Sequence, residues 1–128
     1  MEDTTDHILV VDDDPFTAEL TGLVLENAGF ATVIAEGGMD ALEKIAANPS
    51  IRVVVSDMNM PFIDGIQLFE ELRLQGFTQP FVLLTGEDAA PLRIEHPEMD
   101  AIMTKDEDLQ DSLPELVGSL FARLDKDG

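Results

Sequence analysis

Five short apolar runs alternate with stretches of helical periodicity along the whole chain, and this alternation limits the fold more than any other feature. The runs are His7-Ile8-Leu9-Val10-Val11, Ala31-Thr32-Val33-Ile34-Ala35, Arg52-Val53-Val54-Val55, Pro80-Phe81-Val82-Leu83-Leu84 and Ala101-Ile102-Met103-Thr104. The first, third and fourth are continuous rather than alternating, as strands buried on both faces of a parallel sheet are.

The intervening stretches carry helix signals. Asp14 predicts an N-cap with Pro15 at the first helical position, and the helix runs to about Asn27 with Gly29 as its stop. Leu20, Leu23 and Val24 are its expected core face. A second helix spans about Met39 to Ala47, with Leu42, Ile45 and Ala46 facing inward and Asn48-Pro49 ending it. Asp64 and Gln67 form a capping box opening a third, which buries Ile66, Phe69 and Leu72 and stops near Gly76. Pro91 and Pro97 interrupt the stretch 87–100, so a shortened or distorted helix is expected there. Ser112-Leu113-Pro114-Glu115 predicts the start of the last, with Leu116, Val117, Leu120, Phe121 and Leu124 as its stripe. There is no repeat and no linker. The reading is (βα)5, a single doubly wound α/β domain over residues 1–128 with a parallel sheet.

Composition narrows the function. The 128 residues suffice for one domain with a real core. No apolar run approaches the ~20 residues that span a bilayer, and the acidic N-terminus MEDTTDHILVVDDD is unlike a secretory signal. The absence of cysteine removes disulfides, thiol catalysis and thiolate metal sites. A cytoplasmic location is the expectation. Against 27 Asp and Glu stand only 7 Lys and Arg, a formal charge of −20. Such a surface repels nucleic acid and anionic membranes, so the expected partners are Mg2+ and basic protein surfaces.

In open parallel sheets the ligand crevice lies beyond the carboxyl ends of the strands. After the first run come Asp12, Asp13 and Asp14; after the third, Ser56 and Asp57; after the fourth, Thr85; after the fifth, Lys105. Four of five strands thus deliver a polar or charged side chain to one edge. Carboxylates 4 Å apart repel by ~1 kcal/mol in bulk water and by ~4 kcal/mol at an effective dielectric near 20, so a cation is expected between them. Hard oxygen ligands suit Mg2+, and DDDPFTAEL lacks the alternating acids, central Gly and distal Glu of a calcium loop. Asp57 is then the candidate nucleophile for an acyl phosphate, Thr85 a donor to a phosphoryl oxygen, and Lys105, one of three lysines, its counter-charge. Asp14 is expected to cap rather than to bind metal. His7 and His96 read as structural or surface residues, and the methionines Met58, Met60, Met99 and Met103 as packing.

Leu9-Val10-Val11-Asp12-Asp13-Asp14-Pro15, Ser56-Asp57-Met58-Asn59-Met60-Pro61 with Asp64-Gly65, Leu84-Thr85-Gly86 and Thr104-Lys105 together resemble the receiver domain of two-component response regulators, of the chemotaxis-regulator kind. The resemblance covers about His7 to Leu124 and implies a flavodoxin-like sheet of order 2-1-3-4-5. It implies Mg2+ held by Asp12, Asp13, Asp57 and the backbone carbonyl of Asn59, and phosphorylation of Asp57 by a sensor histidine kinase or histidine phosphotransfer protein. Thr85 matches the switch hydroxyl and Lys105 the phosphate-binding lysine. Asn59 and Glu87 match positions that set the lifetime of the acyl phosphate. The implied output is contact with a downstream protein, by a monomer or weak homodimer with no direct nucleic-acid or membrane binding. Enzymatic activity would be limited to autophosphorylation from small donors and self-dephosphorylation.

Two positions depart from the family pattern. Asp106 follows the lysine where proline is usual, and Ile102 stands where an aromatic switch residue is usual, so the output face is expected to be modified. This keeps open a receiver that docks or dimerises without phosphorylation. A phosphohydrolase resembling the haloacid dehalogenases would need D-x-D-x-[TV], which Asp12-Asp13-Asp14-Pro15-Phe16 does not satisfy. The glycine motifs of nucleotide binders are absent.

Overall fold

The computed structural model describes residues 5–127, so the first four residues of the acidic N-terminal stretch, and the last residue, lie outside the described part. Five strands alternate with five helices: β1 (His7–Val11), α1 (Pro15–Asn27), β2 (Ala31–Ala35), α2 (Gly38–Ala47), β3 (Ile51–Asp57), α3 (Gly65–Leu74), β4 (Phe81–Thr85), α4 (Ala90–Glu95), β5 (Ala101–Thr104) and α5 (Leu109–Asp127). All pairings are parallel and the order is β2-β1-β3-β4-β5, as expected.

Both sheet faces are covered, which is why the central runs are continuously apolar. Leu9 and Val11 point into a core shared with Ala41 of α2 and Leu68, Phe69 and Leu72 of α3. Ile8 and Val10 point the other way, toward Leu25 of α1 and Leu113, Val117 and Leu120 of α5. The alternation is present along the strand, but each side meets a helix layer.

Several local expectations are corrected. On α1 the buried residues are Ala18, Gly22 and Leu25, whereas Leu20 and Leu23 are nearly half exposed. The helix carries two apolar stripes, and the one with small residues faces the sheet, where Gly22 lies within ordinary contact range of Ile34 and Thr32 of β2. On α2, Ala41 is buried and Ala46 exposed, and on α3 Leu68 is fully buried while Ile66 is only partly so. β3 extends through Ser56 and Asp57, which pair with Val11 and Leu84 respectively. The last helix starts at Leu109 rather than Ser112, with Pro114 inside it. Proline is tolerated there because the carbonyl it leaves without a helical partner belongs to exposed Gln110, where water can satisfy it. The shortened fourth helix is as expected, six residues with Pro91 in its first turn. The capping box of Asp64 and Gln67 forms with both reciprocal bonds.

Candidate functional site

The carboxyl ends of β1, β3, β4 and β5 converge on one pocket. After β1 the chain turns sharply: the Asp12 amide donates to the Ala35 carbonyl at 3.1 Å, and the Asp12 Oδ1 accepts the Asp14 amide at 3.0 Å. This buries Asp12 to 5% exposure while Asp13 stays in solvent. Asp14 faces α1, where its carboxylate accepts the Phe16 amide and the Thr17 hydroxyl, both at 3.0 Å, as a helix cap does. The Thr17 hydroxyl bond, then the Phe16 amide, lowers its pKa.

Asp12, Asp13 and Asp57 each present a carboxylate oxygen within 4.8 Å of the others. Burial raises the Asp12 pKa. Asp57 and Asp13 add to the rise, and the Asp14 amide and Lys105 act against it. Lys105 Nζ lies 2.7 Å from Asp57 Oδ1 and 3.7 Å from Asp12 Oδ2, so one ammonium faces three carboxylates. That imbalance and the all-oxygen donor set fit a hard divalent cation. Asn59 lies exposed in the loop two residues beyond Asp57.

Thr85 is 2% exposed at the end of β4. Its Oγ1 accepts the Glu87 amide at 3.1 Å and its carbonyl accepts the Lys105 amide at 2.7 Å, linking two strand ends to the loop that leads into α4. Ile102 is buried at 3% and forms part of the core.

Three residues contribute geometry that the sequence reading left without a role. Gly65 donates to the Met58 carbonyl at 2.9 Å. A Cβ there would lie 2.4 Å from Leu83 Cδ1 and 2.6 Å from the Asp57 carbonyl, so only glycine lets α3 start against the end of β3. The Asp-Gly pair just after Pro61 was the available signal. Ser56 is fully buried, and its hydroxyl donates to the Asp57 carbonyl at 2.9 Å. Thr104 Oγ1 accepts the Ala89 amide at 3.1 Å, bracing the loop after β4 against β5. Nothing in the one-dimensional pattern separates these two from ordinary strand residues.

The response regulator receiver domain matches residues 8–116. The transcriptional regulatory protein FixJ of Bradyrhizobium diazoefficiens is 33% identical over 102 residues, 77% of this chain and 48% of FixJ. The chain spans about half or less of the length of the curated relatives it matches. The solved receiver domain of Francisella response regulator 1452 is 32% identical, with a TM-score of 0.84 over 94% of this chain and 99% of that one. The response regulator TrrA of Thermotoga maritima, solved with Mg2+ and BeF, is 30% identical with a TM-score of 0.80, covering 91% and 99% of the two chains. Among the described residues no helix is long and apolar enough to cross a membrane. With the 2-1-3-4-5 sheet, the acid cluster facing Lys105 and this match over most of its length, the chain belongs to the receiver domain family of two-component response regulators.

Proposed function

We propose that the chain accepts a phosphoryl group on Asp57 from a sensor histidine kinase or a histidine phosphotransfer protein and signals through protein contacts. The observation that carries this reading is the placement of the Asp57 carboxylate at the end of β3. It stands within 4.8 Å of Asp12 and Asp13 and 2.7 Å from the Lys105 ammonium.

In the transfer, an Asp57 oxygen attacks phosphorus as the P–N bond to the donor imidazole breaks. The nitrogen keeps the bonding pair, and an acyl phosphate forms. Asp12, Asp13, Asp57 and the Asn59 carbonyl are the residues that would hold Mg2+. The ion supplies neutralisation of the charge on the transferred group. Lys105 keeps the nucleophilic carboxylate oriented and then pairs with a phosphoryl oxygen. The Thr85 oxygen already accepts the Glu87 amide, so its hydroxyl proton is available to the phosphoryl group. Movement of Thr85 toward that group would pull on the Glu87 amide and so on the loop leading to α4. Buried Ile102 fills the place where an aromatic would swing, so this loop is the route that remains for the signal. Asn59 and Glu87 leave the site rim polar, which favours hydrolysis and a short-lived mark.

A cytoplasmic setting and a downstream protein target complete the reading; a formal charge of −20 opposes direct nucleic-acid binding by this domain. The test is incubation with acetyl phosphate and Mg2+, followed by intact mass, with Asp57→Ala and metal-free controls. A gain of one phosphoryl group that needs both Asp57 and Mg2+ is expected. No gain from small donors or from a panel of phosphorylated histidine proteins would move the function to phosphorylation-independent docking, the reading that Ile102 and the six-residue α4 favour.

A further inference from the structure

The two edge strands of the sheet are protected in similar ways but not equally well. The Lys105 amide bonds to Thr85 across β4 and β5, so alternation turns the peptide groups of Ile102 and Thr104 outward, away from the sheet. At the other edge the Asp12 amide on the Ala35 carbonyl likewise turns those of Thr32 and Ile34 outward. Unpaired main-chain groups on an edge strand are a template for another strand. Each edge has one outward carbonyl capped by a base: Lys44 Nζ on the Ile34 oxygen at 2.8 Å, and Arg93 Nε on the Ile102 oxygen at 2.9 Å.

Lys44 is fixed in that position by Asp40 at 2.9 Å. Arg93 has no carboxylate partner among the described residues, whereas Arg52, Arg73 and Arg123 each have one. In a chain with 27 acidic and 7 basic residues, an exposed arginine held only by a carbonyl is out of place. It also borders a cavity of about 450 Å3 along β5, lined by apolar Met99, Ile102, Met103 and Leu116, by His96, which is itself engaged by Glu98 at 3.3 Å, and by Asp100, which is held by Arg73 at 3.3 Å and Arg123 at 3.1 Å. Helix α4 ends at Glu95, and Ile102 beyond it is 3% exposed with Arg93 seated on its carbonyl.

We propose that the β5 edge accepts an extended segment of a partner protein as a sixth strand, and that Arg93 selects a segment with a carboxylate opposite it. The guanidinium leaves the Ile102 carbonyl for that carboxylate, and the freed carbonyl accepts an amide from the incoming strand. Apolar side chains of the segment that alternate with the acid point to the opposite sheet face, where Met103 and Leu116 line the cavity. Asp100 lines the same cavity, so the preferred segment carries one acid rather than a run of them. This surface is separate from the phosphorylation pocket, and its failure would leave that assignment untouched.

The test uses the 15N-labelled chain at about 0.15 M salt, where charges are screened beyond ~8 Å. It is titrated with the peptide acetyl-TVTVEVT-amide and with counterparts carrying Lys or Gln in place of the Glu. Chemical shifts of the Ile102 and Thr104 amides should move, and the Glu peptide should bind about 5- to 10-fold more tightly than the Lys peptide. Arg93→Gln should abolish that preference with the circular dichroism unchanged. The proposal is overturned if those amides do not respond to about 1 mM peptide, or if the Glu and Lys peptides bind equally. It is also overturned if the chain alone dimerises with its β5 amides broadened.

Discussion

Replacing Asp12 by Asn should stabilise the metal-free protein, although it removes an acid from a buried, hydrogen-bonded position. Asp12 is 5% exposed, and its Oδ1 accepts the Asp14 amide, a bond an amide oxygen can keep. Its oxygen lies within 4.8 Å of oxygens of both Asp57 and Asp13. At an effective dielectric near 20 each repulsion is about 3.5 kcal/mol. Lys105 at 3.7 Å returns about 4.5 kcal/mol. The balance is repulsive by about 2.5 kcal/mol before the cost of burying the charge, and exposure of Asp13 reduces it. We expect Asp12→Asn to gain about 1–2 kcal/mol in urea unfolding with chelator present, at unchanged slope. Mg2+ at tenfold excess over its Kd should then raise wild type by about 1.4 kcal/mol and leave the variant unmoved. A variant that is less stable than wild type in chelator, and that gains equally from Mg2+, would refute the claim that these carboxylates form a strained cation pocket.

Gly65→Ala forces a methyl to within 2.4 Å of Leu83 Cδ1 and 2.6 Å of the Asp57 carbonyl. It should cost about 1–3 kcal/mol in urea unfolding and slow phosphorylation by misplacing Asp57. The pKa of Asp40 is lowered below 3.8 by the Glu36 amide and Lys44. Its contribution is therefore present above pH 3.8 and lost as pH falls through the depressed value, so the deficit of Asp40→Asn in urea unfolding should be constant near neutrality and shrink in acid. With a formal charge of −20, the melting temperature should climb as NaCl rises from about 0.01 to 0.5 M and self-repulsion is screened; a flat response would show that the acids are already paired.

Much of this molecule is legible in sequence because its strands and its pocket obey local rules. Buried parallel strands need continuous apolar runs, and the residue at each carboxyl end must face the crevice, so Asp12, Asp57, Thr85 and Lys105 could be placed before their distances were known. Asp14 and Asp64 declared their helices by capping chemistry. What failed depended on tertiary fit. Helix α1 offers Phe16, Leu20 and Leu23 as readily as Ala18, Gly22 and Leu25, and only its packing on the sheet decides between them. The start of α5 was masked by Pro114, which reads as a first-turn residue but sits deeper because solvent serves the carbonyl it strands. The role of Gly65 follows from the proximity of Leu83, eighteen positions further along the chain, and Arg93 drew no notice until the edge it covers was known.

The central claim is that the phosphoryl group resides on Asp57 as an acyl phosphate, and its most direct test is chemical localisation. The protein is phosphorylated with acetyl phosphate and Mg2+, reduced with borohydride, which converts an acyl phosphate to an alcohol, and mapped by peptide mass. Homoserine at position 57, and at no other acidic position, is the predicted result. Homoserine at 12 or 13, or a phosphate that resists borohydride altogether, would contradict the account.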